Sequence, residues 1–287
     1  MKLTKKVKVA SAVVVVAALT MGVVAAPSFW PKAEFAAAQA LSANPLDPKV
    51  AKALHDQSVR SVTVEKQARQ FLKERRFTDA ESACYQALAL SPKWNGQPMN
   101  TTSFQLLGDV YREQGRYHDA LDAYFKARQH TRDVALDLGI ALSYLKLNDL
   151  KNAHKFYDEK RHFSKVELPP AKKAIYMASL PGTKTAKTME ASILFARGCE
   201  KGSYAARDEA AEDFKKALIL VPRNALIAYN CAWDLGSIYG DKEATSYWAR
   251  AAVFGKGYIA QEGQIRLRNV LMPDQVKEAL SEAKKIK

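Results

Sequence analysis

The chain has 287 residues, of which 48% are hydrophobic and 26% charged, an ordinary balance for a globular protein, and its formal net charge is +14. Its three cysteines, Cys84, Cys199 and Cys231, are scattered and form no CxxC pair, which argues against a zinc site or a thioredoxin-like redox motif. All three read as small buried hydrophobes.

The first elements are not fold. Lys2, Lys5, Lys6 and Lys8 precede an uncharged run at 9–26, VASAVVVVAALTMGVVAA. A basic start followed by an apolar run is the pattern of a secretory signal. Eighteen residues also suffice to span a bilayer as a helix, with Phe29 and Trp30 placed as an interfacial anchor. Pro27 disfavours cleavage after Ala25-Ala26, and Ala38-Gln39-Ala40 lies far from the apolar run, so cleaved signal and uncleaved anchor both stay open. In either case the lysines stay inside and residues 41 onward face out, periplasmic or secreted, tethered through 9–26 if uncleaved. Residues 1–40 are therefore read as signal or anchor plus spacer. Asp47-Pro48 opens a short N-terminal capping helix, to about Ser58, within 41–60.

From residue 61 the chain repeats. Phe71-Leu72-Lys73-Glu74-Arg75-Arg76-Phe77-Thr78-Asp79-Ala80 and Tyr111-Arg112-Glu113-Gln114-Gly115-Arg116-Tyr117-His118-Asp119-Ala120 both run aromatic, five residues, aromatic, then Asp-Ala two residues on. Apolar residues at helical spacing flank both. Small residues such as Gly108, Ala120 and Ala127 suit close helix approach, and Leu107, Tyr111 and Tyr124 fill the gaps between turns. Gly115 permits the turn, and Pro92 and Pro222 stop second helices. A third unit carries Ala141, Tyr144, Ala153 and Tyr157, so three units cover 61–160.

Residues 161–187 interrupt with Pro169-Pro170 and Pro181-Gly182, so no long helix crosses them, and one or two turns fit 171–180. This insert is basic: Lys160 to Lys187 holds seven Lys or Arg against Glu167 alone. Units four and five fill 188–257, with Ala210, Phe214, Ala217 and Pro222, then Ala232, Leu235, Ala244, Trp248 and Ala251. In unit four the large-small pair falls on Arg197-Gly198 if counted back from Pro222, or on Phe195-Ala196 with two extra loop residues. The second is preferred, because Arg197 then escapes the core. Two capping helices close the chain within 258–287, the last with Val276, Leu280, Ala283 and Ile286 on one stripe.

This pattern resembles the tetratricopeptide repeat (TPR). Unit two carries the resemblance best, with Phe104, Leu107, Gly108, Tyr111, Gly115, Tyr117, Ala120, Tyr124 and Ala127, and has Arg132 where the family favours proline. The resemblance implies an all-α, right-handed superhelical solenoid of about five helix pairs with capping helices. It implies a protein that holds other proteins, binding a peptide or helix in a concave groove lined by the first helices. By family register the groove carries Lys66, Arg69 and Lys73 in unit one, and Gln105, Asp109 and Arg112 in unit two. It carries Leu138 and Leu142 in unit three, and Tyr229, Asn230 and Trp233 in unit five. The family's clamp for a peptide carboxylate is not reproduced. Tyr229 and Trp233 have a second reading, as rings packed beneath the helices after residue 257.

No catalytic constellation appears. The histidines at 55, 118, 130, 154 and 162 make no H-E-x-x-H, so no metal is expected. Gly182-Thr183-Lys184-Thr185 lacks the glycines and the strand of a phosphate loop. The expectation is no cofactor and no enzyme. Beyond residue 40 the chain keeps 39 basic against 29 acidic side chains, which favours acidic protein partners, an anionic lipid surface or an envelope polymer. Nucleic acid is disfavoured, since no stacking motif of an RNA-binding module appears. The reading is a protein-binding adaptor of the bacterial cell envelope, with a basic module for an anionic polymer or lipid surface as the alternative.

Overall fold

Starts, turns and stops written in the sequence set the helices. In a computed structural model, residues 48–287 are described, apart from 92, 95, 96, 99, 132, 165, 204, 205, 241 and 243. The signal or anchor at 1–40 lies outside the described residues. Among the described residues no helix is long and apolar enough to cross a membrane. The chain divides into two compact units, Met1–Arg132 and Asp133–Lys287.

The described part of the first unit holds two helix pairs: α1 (Pro48–Lys73) with α2 (Phe77–Leu90), and α3 (Thr101–Glu113) with α4 (Tyr117–Arg128). Two-residue strands β1 (Lys93–Trp94) and β2 (Gln97–Pro98) pair antiparallel between them. The expected capping helix ending near Ser58 is not separate. α1 runs unbroken for 26 residues, because no glycine or proline after Pro48 interrupts it. α3 begins at Asn100, whose Oδ1 accepts the Ser103 N–H at 2.8 Å and whose amide also reaches Ser61 Oγ on α1 at 3.2 Å.

The turn inside the first three pairs is the same device repeated. Arg76 N–H donates to the Phe71 carbonyl at 2.9 Å, Arg116 N–H to Tyr111 at 2.8 Å, and Asp149 N–H to Tyr144 at 2.9 Å. This six-to-one bond needs a left-handed residue just before its donor. That residue is Arg75 (φ 59°), Gly115 (φ 79°) and Asn148 (φ 59°) in turn. A Cβ on Gly115 would meet nothing within 4 Å, so backbone conformation alone decides a substitution there. Gly115→Ala is expected to cost about 1 kcal/mol and Gly115→Asn less, since Asn tolerates this region. Urea midpoints of the three proteins check the order.

The second unit starts with α5 (Val134–Lys146) and a short α6 (Leu150–Phe156). Then come α7 (Glu159–Phe163) and α8 (Pro170–Ala178) within the insert region. The pairs α9 (Ala186–Ser203) with α10 (Arg207–Leu220) and α11 (Ala225–Tyr239) with α12 (Thr245–Phe254) follow. Helices α13 (Tyr258–Val270) and α14 (Pro273–Lys284) close the unit against α12.

The register of the fourth pair is corrected by two glycines. In the second pair, Tyr124 lies over Gly108 so closely that a Cβ there would sit 2.5 Å from the ring. In the fourth, Phe214 lies over Gly198, with 2.4 Å to a Cβ. The large-small position is therefore Arg197-Gly198, with no extra loop residues. Arg197 does not escape the core: it is 7% exposed, and its Nε donates to the Asp213 carboxylate at 2.8 Å. A buried ion pair occupies the place that Leu107 and Ala123 hold in the second pair.

Candidate binding faces

Lys66, Arg69 and Lys73 lie exposed on α1. On α3, Gln105, Asp109 and Arg112 are partly buried. Asp109 accepts the Tyr124 hydroxyl at 2.8 Å and an Arg112 N–H at 3.3 Å. Arg112 also reaches Glu113 at 2.9 Å. Asp109 and Arg112 thus hold Tyr124 over Gly108, a structural task. Sequence register alone placed them on a docking face.

The other five expected residues lie in the second unit, and Leu138, 1% exposed, belongs to its hydrophobic core. Leu142 is 2% exposed and belongs to the hydrophobic core, so its side chain is spent on packing. Asn230 turns its amide onto the Leu226 carbonyl of its own helix at 2.8 Å. Tyr229 stands edge-on to Trp233, Trp248 and Tyr258, with ring centroids 5.8–6.2 Å apart. Trp233 also meets Trp248 at 5.7 Å and carries the Arg266 guanidinium 4.2 Å from its centroid. Helix α13 thus brings Tyr258 and Arg266 over these rings, as the packing alternative expected. Trp233 nevertheless keeps 37% of its surface exposed. Arg266 was invisible to the sequence reading, since only its stacking marks it; its Nε also donates to Glu262 at 2.8 Å.

The insert region supplies the other residues the sequence missed. Phe163 of α7 and Tyr176 of α8 are buried on Phe195 of α9, with ring centroids at 5.4 and 6.3 Å. The Tyr157 hydroxyl lies 2.6 Å from Ser192 Oγ, and Glu159 bonds both Ser192 and, at 2.9 Å, the Gly182 N–H.

Electrostatics offers little chemistry. Burial pushes all three thiols up to about 12, so none is a ready nucleophile. Among the described residues no group of three His, Cys, Asp or Glu could hold a metal ion. Asp234 on α11 stands against Gly202 of α9, and burial raises its carboxyl to about 6 against the opposing pull of Arg207. The folded value lies above the unfolded one of about 3.9, so this group's contribution to stability is greatest in acid and falls as pH rises through 6. Asp234→Asn is expected to melt higher than the parent at pH 8, by on the order of 1 kcal/mol once solvent screening is allowed for. The gap should close below pH 4. Melting curves across that range check it.

A scan against protein-family models finds no match, and a search of curated proteins finds none either. Among solved structures the chain is similar to MamA AMB-1 at 15% identity and a TM-score of 0.31, over 76% of this chain and 97% of that one. It is similar to YrrB, described as a TPR protein with an unusual peptide-binding site, at 16% identity and a TM-score of 0.34, over 75% and 96%. It is similar to PilF of Pseudomonas aeruginosa at 14% identity and a TM-score of 0.36, over 79% and 90%. By its own repeated turns and glycine–aromatic contacts this chain is an all-α helix-pair repeat protein, similar to a set of solved chains that includes a TPR protein.

Proposed function

We propose that the chain is a non-enzymatic adaptor of the bacterial cell envelope that holds a segment of another protein against its first helices. The observation that carries this reading is the part-exposed Trp233 gripped by Arg266. Trp and Arg, set beside other large rings, are the residue types that dominate binding energy at protein interfaces. Exposed Lys66, Arg69 and Lys73 on α1 add a basic face suited to acidic residues of a partner. The envelope setting is supported by the lysines at 2, 5, 6 and 8 and the apolar run at 9–26.

The test uses the full-length chain, tagged and extracted from a bacterial envelope in mild detergent. A partner retained through a high-salt wash, and lost from a Trp233→Ala chain that still folds, supports the adaptor. Retention only at low salt, of anionic lipid or polymer alone, sinks it in favour of the polyanion reading that the net charge of +14 invites.

A further inference from the structure

The second unit carries a helix that belongs to no pair. α8 lies across α9 and the starts of α11 and α13. Its Tyr176 packs on Phe195 of α9. Its Ile175 comes so near the start of α13 that a Cβ on Gly257 would lie 2.5 Å from it. The Lys172 ammonium lies 5.5 Å from the ring centre of Tyr258. At its end the Ser179 carbonyl accepts the side-chain amide of Asn224, the residue that caps α11, at 2.9 Å. These contacts fall on α9 and on the starts of α11 and α13, while Tyr176 also meets Phe163 of α7 at 5.8 Å and the Lys173 ammonium donates to the Ser164 carbonyl at 2.8 Å.

The hold is shallow. Of nine residues in α8, Tyr176 is the buried one, and Pro170, Ala171, Lys172, Ala174 and Ala178 are exposed. A helix this short does not persist alone in water. Elements with few buried contacts open at a lower free energy than the core around them. Gly182, at φ 84°, makes the left-handed turn that follows α8, with its N–H held by Glu159 at 2.9 Å.

We propose that α8 is a built-in ligand of the face made by α9, α11 and α13, which detaches as one piece and gives way to a partner helix of matching chemistry. That helix is short and amphipathic, with adjacent aliphatic and aromatic side chains and a lysine one turn before the aromatic, as in Lys172, Ile175 and Tyr176. The proposal deepens the adaptor reading and rests on it. Its tests involve no partner protein, so its failure leaves that reading standing.

Hydrogen exchange on the unaltered full-length chain is the first test. Amides 174–178 of α8 are expected to exchange at least 100-fold faster than amides 193–197 of α9. Equal slow exchange in both overturns the proposal, because α8 then opens only with the core. The second test adds a fluorescent peptide of residues 168–180 to the full-length parent and to Tyr176→Ala. The variant is expected to keep its helical circular dichroism and to bind the peptide at least tenfold tighter than the parent. Equal binding, no binding, or a variant that has lost its helical signal overturns the proposal.

Discussion

Arg197→Ala and Asp213→Ala are each expected to destabilise the second unit by about 3–5 kcal/mol, the cost of leaving one buried charge without its partner. The two side chains are 8% and 2% exposed and join through paired N–H···O bonds, with Lys201 adding a second cation 3.1 Å from the carboxylate. Burial pulls the Asp213 carboxyl upward, but Arg197 and Lys201 outweigh it and hold the group well below the usual carboxylate range. With the folded value depressed, its contribution is present above the unfolded value of about 3.9 and is lost as pH falls below it. The second pair solves the same packing position with Leu107 and Ala123, both buried. The double variant Arg197→Met with Asp213→Leu is therefore expected to lie within about 1 kcal/mol of the parent, or above it, and to escape this part of the acid loss. Urea titrations of the parent, the two single variants and the double variant at pH 7 and pH 3.5 decide it. Single variants that each cost under 1 kcal/mol would show that the pair contributes little to holding α9 on α10.

Close approach between helices sets the second large effect. Gly263 of α13 faces the backbone of α12: a Cβ there would lie 2.7 Å from the Trp248 carbonyl oxygen and 2.8 Å from the Ala252 nitrogen. Backbone cannot swing aside as a side chain can, so α13 must lift. Gly263→Ala is expected to cost about 2–3 kcal/mol, although alanine favours a helix by about 1 kcal/mol over glycine. Lifting α13 also draws Tyr258 and Arg266 off Tyr229 and Trp233. A lower melting temperature should therefore come with a red-shifted tryptophan emission before the main transition. Gly202→Ala is the control. A Cβ there comes no nearer than 3.5 Å to Asp234, so that variant should be neutral or slightly stabilising.

The repeats were legible because two features recur in the second pair in their most recognisable form: a small residue under a ring, and a glycine at the left-handed turn. Gly108 with Tyr124, and Gly115 before Arg116, announce both. The fourth pair misled for a physical reason. A lone arginine reads as a surface residue, and its partner Asp213, on the following helix, lies among exposed acids that hide it. The break expected near Ser58 came from imposing the repeat frame on a stretch with no helix stop. The insert was legible as an interruption, through its prolines and charge. Its seat was not, because no periodicity says which face a nine-residue helix meets. Of the expected face residues, register placed Lys66, Arg69 and Lys73 on an exposed stretch. It could not see that Leu142 is used up in the core, or that Arg266 stacks on Trp233.

The contact between Ile175 and Gly257 bears on how the second unit forms. The pairs are closed by helices adjacent in sequence, and local contacts of this kind form quickly because little loop entropy is lost. α8 breaks the pattern, since its two ends of contact are separated by α9, α10, α11 and α12. It has no complete seat until α13 is in place. It therefore cannot settle fully before α13, although it is made before most of its neighbours. For that interval its isoleucine lacks its cover at the start of α13, and a chain arrested there, by a cut before Tyr258 for example, should bind the dye ANS more strongly than the whole protein.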